Sequence, residues 1–187
     1  MPSPFQFETA RLILRPFEDQ DRAPFATMNA DPNVMRFFAS TFTPEKSNEH
    51  IARYHRQLQR DGFSFCVAEH RQTGDFLGVI GMQTMYVLVP NLPQPAVELG
   101  WRLTTKAHGY GYATEGARVF VDYAFQQLHL PGIVAITTPD NLPSRNVMHK
   151  LGMTHRPELT FDHPLVAPGH PHRQHVLYSL ELAQPCA

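Results

Sequence analysis

A predicted strand, a loop with two glycines and a long amphipathic helix follow one another in residues 96–128, AVELGWRLTTKAHGYGYATEGARVFVDYAFQQL. Alternating apolar and polar residues predict the strand over residues 96–103. Packing of the apolar helix face on a sheet would hold the amino end of the helix, with its unpaired N–H groups and positive dipole end, beside Gly109 and Gly111. The unit therefore predicts an anion site. The apolar face consists of Ala113, Ala117, Phe120, Val121, Ala124 and Leu128.

The residues of the glycine loop, HGYG, leave its ligand open. An ordinary turn is one interpretation, since glycine is common before helices. A dinucleotide site is a second, because the strand, G-x-G, helix, strand and Asp140 imitate the nicotinamide-binding unit. The third small residue of that fingerprint would, however, fall at Thr114, and the unit lacks a second mononucleotide-binding half. A P-loop is excluded, because no Lys-Ser or Lys-Thr follows the loop at the required spacing.

Composition excludes several classes of protein. A chain of 187 residues with 42% hydrophobic content predicts one domain over residues 1–187. The 16 basic and 17 acidic residues are scattered, so neither a nucleic acid nor a membrane surface is an expected partner. No apolar run reaches the length of a membrane span, and the amino end lacks a secretory-signal pattern, so the expected location is cytoplasmic. Cys66 and Cys186 form no metal or redox spacing, and Cys66 is expected in the core.

The other elements follow from periodicity and turn residues. The helix at 43–62 is marked by Thr43 as N-cap, by Pro44 in its first turn and by Gly62 at its end. The complete order predicts an α+β or α/β domain built on one largely antiparallel sheet. The predicted elements are a strand at 8–17, helices at 18–30 and 43–62, a hairpin of 63–70 with 76–85, the strand and helix above, a strand at 132–138, a helix at 141–152, and closing strands at 153–161 and 172–182.

Three stretches of the chain together resemble the GNAT acetyltransferases, specifically the branch similar to the RimJ/RimL N-terminal acetyltransferases of ribosomal proteins. They are TARLILRPF near the amino end, residues 96–125, and DNLPSRNVMHKLGM at 140–153. The resemblance runs in register over nearly the whole chain. It implies a GNAT fold, with a mixed, mostly antiparallel sheet of about six to seven strands and about four helices. It also implies acetyl-CoA as the co-substrate, with no metal.

The resemblance places the cofactor on the glycine loop. The family signature, Q/R-x-x-G-x-G/A, falls on residues 108–113, with His108 in place of Gln or Arg. The CoA pyrophosphate would lie on backbone amides of the loop, and the pantetheine arm would pair with the preceding strand where that strand splays from its neighbour. The residues implied to bind acetyl-CoA are Trp101, Arg102, Leu103, His108, Gly109, Tyr110, Gly111, Tyr112, Ala113, Thr114, Asn141 and Ser144.

Glu98 is the candidate general base. It alternates with Val97 and Leu99 and therefore faces away from the side that those two share. Similar proteins carry a glutamate here that faces the acceptor site. An amine must lose its proton to react, and an α-amino group has a reference pKa of about 8 against about 10.4 for lysine. The alternative is that Glu98 only forms an ion pair with Arg102, which lies four residues along on the same face.

Ser144 is the candidate general acid. Many related enzymes use a tyrosine in this helix, but Met148 stands at that position here. Asn141 and Ser144 form the N-x-x-S pattern of the RimL-like branch, in which Ser lies near the thioester sulfur and Asn binds pantetheine. Both residues also have a structural interpretation, because Asn is a good N-cap and Ser in the first turn can satisfy the backbone. No cysteine is positioned for a covalent acetyl-enzyme, so direct transfer is expected.

Four histidines, His163, His170, His172 and His175, crowd the last loop. Imidazole is a common zinc ligand, but no carboxylate or thiol completes a metal set, so contact with substrate is the expected role for one or two of them.

The sequence thus predicts an acetyl-CoA-dependent N-acetyltransferase that acts on a primary amine, either a peptide or protein N-terminus or a small molecule. Two alternatives stay open: a non-catalytic acyl-CoA-binding or regulatory domain in which Glu98 is structural, and a dinucleotide-binding oxidoreductase. The amine-bearing acceptor is the only partner implied, and either a monomer or a homodimer is compatible with the sequence.

Overall fold

The computed structural model of this chain describes residues 5–181. In that range, one sheet has six strands of four or more residues and three strands of two residues, and four α-helices flank it. The strands are β1 (Phe7–Glu8), β2 (Leu12–Arg15), β3 (Phe65–His70), β4 (Phe76–Thr84), β5 (Val97–Leu103), β6 (Gly132–Thr137), β7 (Thr154–His155), β8 (Phe161–Asp162) and β9 (Gln174–Glu181). The helices are α1 (Arg22–Ala30), α2 (Pro44–Asp61), α3 (Tyr112–Gln126) and α4 (Leu142–Lys150).

The sheet is mixed and mostly antiparallel. Its strand order is β1-β2-β3-β4-β5-β6-β9-β7, and β8 pairs with β9 beside this path. Every neighbouring pair is antiparallel except β5 and β6, which are parallel. This arrangement confirms the predicted fold class, including the hairpin of β3 and β4.

Helices cover both faces of the sheet. On one face α3 packs closely, because Gly116 has no side chain; a Cβ there would lie 2.5 Å from Cδ1 of Ile80. The other face is covered by α1 and α2, with Phe25, Ile51 and Tyr54 in its core. The bounds of α2 confirm their sequence signals, since Thr43 Oγ1 accepts a hydrogen bond from the Lys46 N–H and Gly62 ends the helix at φ 76°.

The predicted closing strand at 153–161 is wrong. A short 3₁₀ helix, Pro157–Leu159, separates β7 from β8, and each of those strands has only two residues. Proline lacks an N–H group and cannot donate to a ladder, which accounts for the break. The predicted strand at 8–17 is likewise divided into β1 and β2, because the Thr9 N–H donates to the Leu12 carbonyl oxygen in a tight turn.

Cys66 is fully buried, as predicted, and burial raises the pKa of its thiol far above the ordinary value. Cys186 lies outside the described residues. None of the helices within residues 5–181 combines the length and the apolar character needed to cross a membrane.

Candidate active site

A cavity of about 1000 Å³ opens where β5 and β6 diverge. These parallel strands pair in register only at Glu98 and Val134. Beyond that pair, the same cavity is lined on one side by residues 99–103 of β5. On the other side it is lined by residues 136–138, at and just after the end of β6. The predicted splay is thus present. Because the strands leave backbone groups unpaired along this gap, an extended ligand can bind between them as a strand would.

Nearly all of the residues predicted for the site line this cavity. Glu98 does so, together with Trp101, Arg102, Leu103, His108, Gly109, Gly111, Tyr112, Ala113, Thr114, Asn141 and Ser144. Tyr110 does not, and its side chain is 62% exposed beside the ring of Tyr112. The fold therefore brings together, around one cavity, residues of β5, the glycine loop, α3 and α4 that the sequence predicts for the site.

The glycine loop turns into α3 through two left-handed residues. Gly109 has φ 84° and Gly111 has φ 83°, a conformation that residues with a side chain adopt only at a cost. A Cβ at Gly109 would meet no protein atom within 4 Å, so the backbone angle rather than crowding requires glycine. No side chain caps the amino end of α3. The first N–H groups of α3 therefore have no side-chain acceptor, and they belong to residues that line the cavity, where they can bind an anion.

His108 holds this loop against the end of β5. Its Nε2–H donates to the carbonyl oxygen of Leu103 at 3.0 Å. The structure thus gives the residue that departs from the family signature a local role in shaping the loop.

Arg11 is a neighbour of the loop that the sequence did not identify. Its guanidinium lies 4.6 Å from the ring centroid of Tyr112 and forms a 2.6 Å ion pair with Glu115. Thr9 Oγ1 donates to the same carboxylate at 2.6 Å. Burial by itself would raise the pKa of Glu115, but the hydrogen bonds from Thr9 and Arg11 hold this pKa below its ordinary value. A cation is therefore fixed beside the first turn of α3.

The start of α4 is held by Asn141 and leaves Ser144 free. The Asn141 Oδ1 accepts a hydrogen bond from the Ser144 N–H at 3.2 Å, and its Nδ2 donates to Thr137 Oγ1 at 2.8 Å. Asn141 is thus an N-cap tied to β6. The Ser144 hydroxyl has no hydrogen-bond partner among residues 5–181 and lines the cavity. Met148, at the position of the tyrosine in related enzymes, is buried in the core.

Glu98 lies opposite Gln83 of β4 in the sheet and accepts a 2.8 Å hydrogen bond from its Nε2. Burial raises the pKa of Glu98, while the bond from Gln83 and the charge of Arg53 partly offset the rise. A carboxylate in such surroundings binds a proton more readily than an exposed one. The alternative pairing with Arg102 is not present; that guanidinium instead donates to Asn29 Oδ1.

Tyr86 and Arg53 reach the same part of the cavity and were not foreseen. The Arg53 guanidinium lies 4.9 Å from the ring centroid of Tyr86. Burial first, and then the negative charge of Glu98, raise the pKa of Tyr86. Tyr86 stands in a loop without periodicity, and Arg53 on α2 is separated from it by 32 positions, so no local pattern links them.

The histidines of the last loop divide between the cavity and the surface around it. His163 and His175 line the cavity with their ring centroids 4.8 Å apart, and His172 lines it nearby. Burial, with a smaller contribution from His175, lowers the pKa of His163 to about 4. In the part of the chain that the structure describes, no three His, Cys, Asp or Glu side chains are grouped to hold a metal ion.

His50 predicts a pH dependence of stability. Its pKa is lowered to about 3 by burial, and further by Arg53, Arg102 and Lys46. Below about pH 6.5, His50 is protonated in the unfolded chain but stays neutral in the folded chain. The free energy of unfolding therefore decreases as the pH falls. We expect His50→Gln to recover at most about 2 kcal/mol of the stability lost between pH 7 and pH 5. Thermal unfolding at both pH values measures this effect. His55→Gln, an exposed position on the same helix, should leave the pH slope unchanged; equal slopes for the wild type and His50→Gln would contradict the assignment.

Comparison with known proteins gives a family match for most of the chain. Residues 11–154 match the family described as the acetyltransferase (GNAT) domain. YkkB of Bacillus subtilis (strain 168) is 32% identical over 146 residues, which cover 78% of this chain and 83% of that protein. The FsC-acetyl coenzyme A-N(2)-transacetylase of Aspergillus fumigatus is 34% identical over 158 residues, covering 79% of this chain and 64% of that protein.

A solved structure is similar over almost the full length. The acetyltransferase from Agrobacterium tumefaciens aligns with a TM-score of 0.77 at 25% identity, and the alignment covers 97% of this chain and 96% of that one.

Proposed function

Because this chain belongs to the GNAT acetyltransferase family, we propose that it moves an acetyl group from acetyl-CoA directly to a primary amine on a peptide, a protein N-terminus or a small molecule. The observation that carries the proposal is the position of Glu98, with a raised pKa, on the strand that borders the cavity between β5 and β6. The RimJ/RimL-like branch is a finer proposal, supported by the motifs in residues 96–125 and 140–153. We also propose that residues 1–187 act as one catalytic domain.

The residues present fit acetyl-CoA. Backbone amides at the start of α3, the two left-handed glycines and the nearby Arg11 suit the pyrophosphate. The unpaired edge of β5 along residues 100–103 suits the pantetheine amides, so Arg102 would contribute its backbone rather than its side chain. When bound, the cofactor supplies the acetyl thioester. The residues of the chain orient it and keep water from the gap between the strands.

Glu98 would accept the proton that the acceptor amine loses, directly or through one water. Its raised pKa places the carboxylate nearer to the working pH than an exposed glutamate, and the hydrogen bond from Gln83 fixes one of its oxygens. The free hydroxyl of Ser144 is proposed to protonate the departing sulfur, since it is the hydroxyl that α4 presents to the cavity. Tyr86 lines the same cavity as Glu98 and carries a second hydroxyl.

A thermal-shift experiment tests the cofactor. We expect acetyl-CoA and CoA to raise the melting temperature of the full chain by several degrees, since a ligand at about 100 times its Kd adds roughly 2.7 kcal/mol of stability. NAD(H) should leave it unchanged. A rise with NAD(H) alone would favour the dinucleotide-binding alternative and contradict the acetyl-CoA proposal.

The non-catalytic alternative makes a different prediction. A regulatory acyl-CoA-binding domain would show the same thermal shift but would acetylate no amine, and the Glu98 carboxylate would then affect stability alone. Two of the similar proteins named above favour the enzyme, since one is named a transacetylase and the solved structure an acetyltransferase.

A further inference from the structure

The wall of the cavity that faces α1 and α2 carries an excess of positive charge. Among the described residues that line the whole cavity, Glu98 is the single carboxylate. Four of the five Lys and Arg side chains of that lining lie on β5, on α2 or on the loop before it, and the fifth is Lys150 of α4. The four are Arg36, Lys46, Arg53 and Arg102.

Arg102 is held in place without a carboxylate partner. It follows Glu98 by four residues on the same face of β5, and its Nη1 donates to the buried Asn29. Its guanidinium lies 4.5 Å from the ring centroid of Phe38 and 5.2 Å from that of Phe42. The Nε–H is buried and has no hydrogen-bond acceptor among the described residues. A planar cation fixed in this way keeps donors available for a further acceptor.

Arg53 of α2 is arranged in a similar manner. Its Nη2 donates to Nδ1 of His50 at 3.1 Å, and its plane lies over Tyr86. The Nε–H of Arg53 is also buried without an acceptor in residues 5–181. Arg53, Arg102 and Lys46 line the cavity together with His50.

Most of the other partly buried arginines among residues 5–181 form ion pairs, whereas Arg145 donates to the Tyr178 hydroxyl and the Pro139 carbonyl oxygen. Arg15 forms ion pairs with Asp21 and Glu69 at 2.7 Å, Arg11 pairs with Glu115, and Arg173 pairs with Asp162. A buried cation without an anion is costly, and proteins rarely retain one unless it has a partner. Arg53 and Arg102 form no ion pair among the described residues, although both side chains are half-buried.

We propose that the acceptor is an amine that also carries an oxyanion, a carboxylate or a phosphate, which Arg53 and Arg102 bind while the amine faces Glu98. The proposal rests on the acetyltransfer function and specifies its substrate class. Guanidinium groups bind such oxyanions through paired, charge-assisted hydrogen bonds. The aromatic rings of Phe38, Phe42 and Tyr86 would hold the carbon skeleton between the two charged groups.

Matched acceptors test the charge directly. At saturating acetyl-CoA, kcat/KM is measured for free L-amino acids against their C-terminal amides, and for phosphoethanolamine against ethanolamine. We expect the oxyanion-bearing member of at least one set to be preferred by tenfold or more, and the two sets distinguish carboxylate from phosphate. Neutral members that react as well as their charged partners throughout would overturn the inference while leaving the acetyltransferase function intact.

Arginine variants locate the effect. At a pH on the alkaline side of the acid limb, where a shift in the pKa of Glu98 has little effect on the rate, Arg53→Gln and Arg102→Gln should lower kcat/KM for the charged acceptor by about 10- to 100-fold. The loss should arise mainly from a higher KM and should be small for the neutral partner. Arg56→Gln removes an exposed charge from the same helix outside the cavity and serves as the control. A loss of acetyl-CoA affinity in the variants, or an equal loss with both acceptors, would contradict the proposed role.

A binding measurement keeps the inference testable without turnover. In the presence of CoA, N-acetylated amino acids and their amides are titrated calorimetrically into the wild type and into Arg53→Gln. We expect the carboxylate form to bind more tightly to the wild type and to lose that advantage in the variant. Equal binding of the carboxylate and the amide forms would overturn the inference. If instead the carboxylate form binds more tightly but no amine is acetylated, the result would contradict the proposed function.

Discussion

Replacing Glu98 by Gln is expected to lower kcat/KM for amine acetylation by about 100- to 10,000-fold, the usual contribution of a general base. The substitution keeps the size of the side chain and a hydrogen bond to Gln83, but removes the group that can accept a proton. Initial rates of CoA release with a reactive amine measure the loss, and thermal shift checks that acetyl-CoA still binds. Glu49→Gln, on the exposed face of α2, is the matched control and should retain full activity.

The pH profile distinguishes a base from a structural carboxylate. Because the pKa of Glu98 is raised by burial, the acid limb of kcat/KM should fall above the range of an ordinary glutamate. Gln83 lowers that pKa by its hydrogen bond, so Gln83→Leu should move the acid limb to higher pH while leaving appreciable activity on the alkaline side. An unchanged limb in Gln83→Leu, or near-normal rates in Glu98→Gln, would remove Glu98 from the proton transfer.

The second large effect is expected at the glycine loop. Gly109→Ala should weaken acetyl-CoA binding at least tenfold, because a side chain at φ 84° strains the backbone by about 1–2 kcal/mol and a Cβ would stand on the side of the loop that has no protein atom near it. Calorimetric titration of acetyl-CoA measures the change. Relaxation of the strain would also turn the neighbouring amides away from the direction that the loop fixes.

A second glycine supplies the control for strain alone. Gly74 has φ 73°, equally open surroundings and a position in the β3–β4 turn outside the cavity. Gly74→Ala should therefore lose a similar amount of stability but bind acetyl-CoA as the wild type does. Equal affinity in both variants would show that the loop does not carry the cofactor.

The sequence could predict which residues of β5, the glycine loop and α3 lie together, because these residues are close in the chain. The strand with Glu98, the glycine loop and α3 occupy one continuous stretch, so alternation and helical periodicity determine which side chains share a face. The structure confirms the alternation, since Val97 and Leu99 enter the core beneath α3 while Glu98 faces the cavity. The positive φ angles of Gly109 and Gly111 agree with the same reasoning.

The acceptor side could not be predicted in this way. Arg53, Tyr86 and Gln83 come from a helix, a loop and a neighbouring strand, and only the pairing of β4 with β5 brings Gln83 against Glu98. The net charge of the chain does not predict the charge of this cavity. The formal net charge is −1, but the described residues that line the cavity include five Lys or Arg side chains and one carboxylate. Pro157 is the sequence signal against one continuous strand over residues 153–161, and the structure has a 3₁₀ helix at Pro157–Leu159.

One measurement tests most directly whether this chain acetylates an amine. The full chain is incubated with acetyl-CoA and a panel of primary amines that includes free amino acids, peptides and polyamines, and the products are followed by mass spectrometry together with CoA release. We predict at least one amine that gains a single acetyl group, with one CoA released for each product formed and no acetyl group left on the protein. Tight binding of acetyl-CoA with no acetylated amine across the panel would contradict the account.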